Sequence, residues 1–412
     1  MGAPRRGTPM VLVVAPLVLA AGLLAGCGPA HGTVKVEDRF RPGSGPVAHL
    51  VFTAAPGRAN DVTVTPSGSE LLVHDGGDTI TPGSGCTAED ANTVRCLGVS
   101  VVTMNLGDGN DVASNNTSVR SGIWTDQPGI QGGPGDDVLN GGTAKDDLIG
   151  DQGTDTLIGN EGDDNLIEGW TAASTDELDV DTFDGGPGKD AASYLQATQR
   201  LSLDLDGQAD DGLVTGEGDT VQSDVESLIG GAAQDFLSGD ANDNVLAGQG
   251  GNDSLVGFEG NDVLVGGSGN DTLREGSLAN NVDALDADTF FGDGCCVEGG
   301  VDTVAYGAAT ASLRVDLDNV ADDGRQAPLE GDNVRSDVEN VTGGGGNDSL
   351  FGDVDANQLI GNAGADVLSG DAGGDVLRGN TGFDPLNGGE GEDDCNAGPA
   401  GPDGGTEVNC EI

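Results

Sequence analysis

GGPGDDVLN, GGTAKDDLI, GDQGTDTLI and GNEGDDNLI follow one another without a gap from Gly132 to Ile167. Each nine-residue unit opens on glycine, carries a carboxylate at its sixth place (Asp137, Asp146, Asp155, Asp164) and leucine at its eighth (Leu139, Leu148, Leu157, Leu166). A short fixed period that keeps a charge and an apolar residue in step marks a solenoid. The residues around each leucine predict a short strand with the leucine inward, and the Gly-rich hexapeptide predicts a sharp turn through positive φ, which glycine adopts at little cost. Two units then make one turn of a flattened spiral. Stacked at strand spacing, about 4.8 Å, successive aspartates form columns that repel one another unless neutralised. Carboxylates and the carbonyls of tight turns are the hard oxygen ligands that calcium prefers.

The period returns twice. From Gly230 the sixth places are Asp235, Asn244, Asp253, Asp262 and Asp271, over Leu237, Leu246, Leu255, Leu264 and Leu273. The third run gives Asp348, Asn357, Asp366, Asp375, Asp384 and Asp393 over Leu350, Leu359, Leu368, Leu377, Leu386 and Cys395. LGDGNDVAS, Leu106 to Ser114, is a degenerate first repeat with Asp111 at the metal place. Asp190 completes the candidate side-chain ligands. The turn glycines grouped with them are Gly133, Gly135, Gly153, Gly162, Gly251, Gly260, Gly267, Gly269, Gly344, Gly346, Gly364, Gly373, Gly382 and Gly391. Asn244 and Asn357 offer a neutral oxygen and lower the charge of their sites.

The nonapeptide resembles the hemolysin-type (RTX) calcium-binding repeat, G-G-x-G-x-D-x-(large apolar)-x. That resemblance implies an all-β chain wound as a parallel β-roll, a right-handed β-solenoid, with several Ca2+ ions held between Gly-rich loops. Calcium binding is the activity it implies.

Composition agrees. Sixteen Lys and Arg stand against 71 Asp and Glu in 412 residues, a formal charge of −55, with 35% hydrophobic and 3% aromatic residues. Without metal such a chain resembles a disordered polymer. Its acidity argues against nucleic acid or anionic membrane as partner and for bound cations.

Residues 1–26 read as a signal peptide: Arg5 and Arg6, an apolar run from Met10 to Leu24, then Leu24-Ala25-Gly26-Cys27. The tetrapeptide resembles a bacterial lipoprotein signal, implying cleavage before Cys27 and lipidation of its sulfur; the plainer alternative is a secretory signal with an incidental cysteine. Either makes the protein extracellular, and the first anchors it at the cell surface by lipid alone. Residues 27–45 read as a polar tether and 46–105 as a β-rich N-terminal cap. Repeat blocks at 106–167, 230–274 and 343–394 alternate with inserts at 168–229 and 275–342, and 395–412 forms a C-terminal cap. In an exported chain, Cys86 with Cys96 and Cys395 with Cys410 are expected as disulfides. Cys295 and Cys296 bridge each other, pair elsewhere or stay free. His31, His49 and His74 are scattered and read as surface or loop residues.

The inserts are copies of one another. Asp181 to Phe183 returns at Asp288 to Phe290, Asp190 and Tyr194 at Asp302 and Tyr306, and LSLDLD at Leu201 as LRVDLD at Leu313. The alternation at Leu201 and Leu313 predicts strands with one buried face. The acids behind them (Asp206, Asp210, Asp211; Asp318, Asp322, Asp323) lack EF-hand spacing and read as solvated loops. Neither His-Glu-x-x-His nor Gly-x-Ser-x-Gly occurs, so the sequence points to a binding protein rather than a zinc protease or lipase. An adhesin or surface-layer spacer with a cell-surface or glycan partner, and a glycan-active enzyme, are the alternatives to a calcium-folded surface protein.

Overall fold

The three residues that close each nonapeptide form a strand: Val138–Asn140, Asp147–Ile149, Thr156–Ile158 and Asn165–Ile167. The central leucine of each is fully buried, and so are its counterparts from Leu237 to Leu386, at 0–1% exposure. A strand this short cannot hold itself flat. It is held by parallel neighbours 18 residues away on either side, with Leu139 beside Leu157 and Leu148 beside Leu166. Burying each leucine contributes about 1.5–3 kcal/mol, and stacking them makes one continuous core. The computed structural model describes residues 31–40, 46–122, 129–169, 179–216, 218–276, 287–293, 300–307, 309–326, 330–398 and 406–410. The signal peptide, Cys27, Cys295 and Cys296 lie outside them.

Alternate strands fall on two opposed faces. The first face runs as one thirteen-stranded sheet from the N-terminal cap to Thr289–Phe291 and Asn333–Val334. The second begins as a nine-stranded sheet that ends at Thr220–Val221. Each insert adds a hairpin to one face only. In the first insert, Leu201–Asp204 pairs antiparallel with Gly212–Leu213, and an antiparallel bridge between Asp211 and Asp219 joins that hairpin to Thr220–Val221. The second face then continues as a ten-stranded sheet. In the second insert, Leu313–Asp316, Gly324–Arg325 and the Asp323–Asp332 bridge extend the first face in the same way into a six-stranded sheet. The roll is therefore continuous through both inserts. It is an all-β parallel β-roll, and no helix occurs among the described residues.

Three expectations need correction. The stretch read as a tether contains the strand Gly32–Phe40, antiparallel to Pro46–Thr53; alternation of Val34 and Val36 with Lys35 and Glu37 is the period-2 signal it carried. His49 is a fully buried residue on Pro46–Thr53, not a surface one. The acidic loops of the inserts are only partly solvated. Asp211 and Asp323 are 1% exposed, and each accepts two backbone N–H groups, from Asp204 and Val221 in one copy and from Asp316 and Val334 in the other. They fasten the hairpins. Disulfides join Cys86 to Cys96 in the N-terminal cap and Cys395 to Cys410 beside the last strands.

Candidate metal centre

The sixth-place carboxylates stand in ladders along the edges of the roll. Each takes the backbone N–H of the sixth-place residue one turn earlier: Asp111 N–H donates to Asp137 Oδ1 at 2.7 Å, Asp137 to Asp155 at 2.7 Å, and Asp155 to Asp181 at 2.7 Å. A second ladder runs from Asp146 through Asp164 and Asp190 to Glu226 Oε2. A third runs from Asp235 through Asp253, Asp271 and Asp302 to Glu339 Oε2. Asn244, Asp262, Asp288 and Asp332 form another, as do Asn357, Asp375 and Asp393, and Asp348, Asp366 and Asp384. Asp181, Asp219, Asp288, Asp302, Asp332, Glu226 and Glu339 belong to these ladders although the nine-residue period does not reach them.

The second oxygen of each carboxylate separates two kinds of turn. In the open kind, the fourth-place glycine is left-handed, as at Gly135, Gly153, Gly162, Gly251, Gly269, Gly364, Gly373, Gly382 and Gly391. The second place is left-handed too, at Gly133, Asp151, Asn160, Gln249, Gly267, Asn362, Asp371, Asn380 and Gly389. The Oδ2 of the aspartate that follows is buried without a hydrogen-bond donor. Counting Asp111 and the insert residues Asp181, Asp190 and Asp302, thirteen such oxygens occur among the described residues. An uncompensated buried carboxylate costs several kcal/mol, so thirteen exceed what a fold stable by about 5–15 kcal/mol can carry. They require a proton or a cation.

The closed kind satisfies itself. Asp146, Asp235, Asn244, Asp348 and Asn357 each accept, on a second-place N–H of their own turn (Gly142, Gly231, Asp240, Gly344, Asp353), a hydrogen bond of 2.5–2.9 Å. Their fourth places, Ala144, Ala233, Asn242, Gly346 and Asp355, have no positive φ, and neither does Gly344. A third arrangement appears in the inserts, where Tyr194 and Tyr306 stand at the first place. Their hydroxyls donate to Asp219 Oδ2 at 2.9 Å and Asp332 Oδ2 at 3.0 Å, with the rings packed against Phe183 and Phe290.

Without a cation, burial lifts these acids far above the ordinary aspartate value of 3.8. Asp137, Asp164 and Asp302 are raised to about 7, and Asp253 to about 8, burial being the largest cause in each. Asp155 reaches about 9, through burial and then the charge of Asp181. Side chains that favour a positive neighbour, aligned at one-turn intervals and, among the described residues, without a Lys or Arg hydrogen bond at their Oδ2 atoms, fit a divalent oxygen-seeking ion. An RTX-type calcium-binding nonapeptide pattern, described as four copies, matches residues 130–166, 223–255, 238–273, 342–377 and 369–399.

The chain carries RTX calcium-binding nonapeptide repeats. The RTX match leaves 167–222 and 274–341 outside, which is where the ladders run through the inserts. No curated protein matches the chain in sequence. Among solved structures it is similar to the extracellular lipase LipA from Serratia marcescens, at 18% identity over 63% of this chain and 37% of the lipase, with a TM-score of 0.17. The likeness thus spans well under half of the lipase.

Proposed function

We propose that this protein is an exported calcium binder whose open RTX turns fill with Ca2+ and fold on doing so, and that it is not a catalyst. The thirteen buried, donorless Oδ2 atoms carry the reading: they are the atoms a calcium ion would hold, with turn carbonyls completing an all-oxygen shell. Asp111, Asp137, Asp155, Asp164, Asp253, Asp271, Asp366, Asp375, Asp384 and Asp393 are the ligands of the repeat blocks, and Asp190 and Asp302 extend them into the inserts. The five closed turns take no ion. Asp235 with Asn244, and Asp348 with Asn357, open the second and third runs, so those two runs start on turns that fold without metal; in the first run the closed turn of Asp146 follows the open turn of Asp137.

Ion by ion, one ordered turn builds half the site of the next, so filling is cooperative. Metal that binds the folded chain and not the unfolded one stabilises it by mass action. In the low calcium of a bacterial cytoplasm the acidic chain stays expanded; outside, at millimolar calcium, it folds. Cleavage before Cys27 and lipidation of its sulfur would hold the roll at the outer cell surface.

The test is far-UV circular dichroism of the chain from residue 27 with Cys27→Ser, titrated with calcium from a chelated start. A steep gain of β signal with calcium and not with magnesium is expected. A full β spectrum in chelator, unmoved by calcium, would mean protons neutralise the columns, and the calcium-coupled reading would be withdrawn.

A further inference from the structure

The first place of each RTX turn faces the second oxygen of that turn's own sixth-place carboxylate. A Cβ built on Gly132 would lie 2.1 Å from Asp137 Oδ2, on Gly150 2.4 Å from Asp155 Oδ2, and on Gly248 2.3 Å from Asp253 Oδ2. Any side chain at that place is therefore delivered to this oxygen. Tyr194 demonstrates the delivery: from the first place its hydroxyl reaches Asp219 Oδ2.

Glu168 and Glu275 occupy the same place at the start of the two inserts. Each is followed by a left-handed glycine at the second place, Gly169 and Gly276, as in an open turn. Each is followed 13 positions later by a sixth-place aspartate, Asp181 or Asp288. All four acids are buried: Glu168 is 4% exposed, Asp181 0%, Glu275 8% and Asp288 1%. A side-chain hydrogen bond joins Glu168 to Asp181, and Asp181 Oδ2 has no further donor among the described residues. Where tyrosine brings a neutral hydroxyl to this oxygen, glutamate brings a second carboxyl group, and a cation that replaces the shared proton meets two carboxylates.

We infer that Glu168 with Asp181, and Glu275 with Asp288, form two further divalent-cation sites, one per insert, in which a side-chain carboxylate is added at a place where an ordinary RTX turn has glycine. The inference rests on calcium being the ion of the open turns. Two carboxylates converge on one ion here, so these sites bind calcium more tightly than the single-carboxylate turns of the blocks. They fill first and order the junctions between blocks before the blocks themselves.

The chain has two tyrosines, Tyr194 and Tyr306, and their hydroxyls bond Asp219 and Asp332, the rungs next to Asp181 and Asp288. In a background with Trp124→Phe and Trp170→Phe, which removes the other sensitisers, tyrosine-sensitised Tb3+ emission reports the inserts selectively, while equilibrium dialysis with radioactive calcium counts all ions. The variant is Glu168→Gln/Glu275→Gln, whose amides donate to Asp181 and Asp288 as the tyrosine hydroxyls do to their partners. Loss of the two tightest ions, with terbium emission reduced at least fivefold and the remaining ions retained, is expected; Glu168→Gln alone should lose one. Unchanged ion count and emission in a calcium-binding variant would overturn the inference and leave shared protons as the role of the pairs. A wild-type chain that binds no calcium would instead sink the reading of the RTX turns themselves. Should the double variant fail to fold in calcium, each single variant is counted by the same two measurements, and retention of every ion by both again overturns the inference.

Discussion

Replacing Gly153 with alanine tests the stacking of open turns most directly. Gly153 sits at φ 121°, and a Cβ there would stand 2.2 Å from the oxygen and 2.5 Å from the carbon of Gly135, the equivalent residue one turn earlier. Ordinary contact needs about 3.5 Å, so the carbonyl must retreat by about 1 Å. That movement breaks into the Gly135 N–H bond to the Gln152 carbonyl, 2.7 Å, which ties the same two turns. The strained backbone costs about 1–3 kcal/mol and the overpacking a similar amount, so Gly153→Ala should lose about 2–6 kcal/mol. Gly57→Ala is the control. Its φ is 70°, nothing lies within 4 Å of the added methyl, and only the left-handed penalty of about 1–2 kcal/mol applies. Urea unfolding of the calcium-loaded proteins gives both losses, and hydrogen exchange at the Asp137 amide, which donates to Asp155 Oδ1, reports the disturbed rung. If Gly153→Ala costs no more than Gly57→Ala and Asp137 keeps its protection, close stacking of the fourth places is not what demands glycine.

Calcium uptake should release protons near neutral pH, because Asp137 and Asp164 stay protonated to about 7 and Asp155 to about 9 in the metal-free fold. The unfolded chain gives up those protons from about pH 4 upward, so the metal-free fold loses stability as pH rises through 7 to 9, and calcium affinity falls as pH drops below 7; calorimetry in buffers of different ionisation enthalpy measures the release. Asp155→Asn should remove an ion from the calcium count whereas Asp146→Asn should not, since both Asp146 oxygens already hold N–H groups; equal loss in the two would refute the division into open and closed turns. Tyr194→Phe removes the hydroxyl that donates to Oδ2 of buried Asp219 and should cost about 1–3 kcal/mol in urea unfolding, a figure that a neutral result would contradict. Cys410→Ser opens a loop of sequence separation 15, for which about 3 kcal/mol is expected, read as earlier loss of protection in Asp394–Asn396.

Leucine and aspartate at fixed places in an unbroken period were enough to read the strands, the core and the ladders of the blocks, because in a solenoid each place in the repeat meets the same environment. The ladders in the inserts were hidden because their rungs are 26 residues apart from Asp155 to Asp181 and 38 from Asp181 to Asp219, where the blocks use 18. The signal that remained was the duplication itself: Asp181 and Asp288 begin the repeated Asp-Thr-Phe, and Glu226 and Glu339 close the repeated Ser-Asp-Val-Glu. Closed turns were half legible. Ala144, Ala233, Asn242 and Asp355 announce themselves by not being glycine, but Gly346 does not, because glycine permits a left-handed backbone without imposing it.

The placement of the two hairpins has a consequence for the shape of the rod. Lengthening one face alone, by two strands at about 4.8 Å each, would force a straight stack to bend toward the shorter side, as an extra course of bricks tilts a wall. Here the first insert lengthens one face and the second lengthens the other. Among the described residues the sheets of thirteen and six strands on the first face and of nine and ten on the second make nineteen strands on each. By this reasoning a tilt introduced at the first junction is opposed at the second, and the two ends of the roll are expected to keep parallel directions.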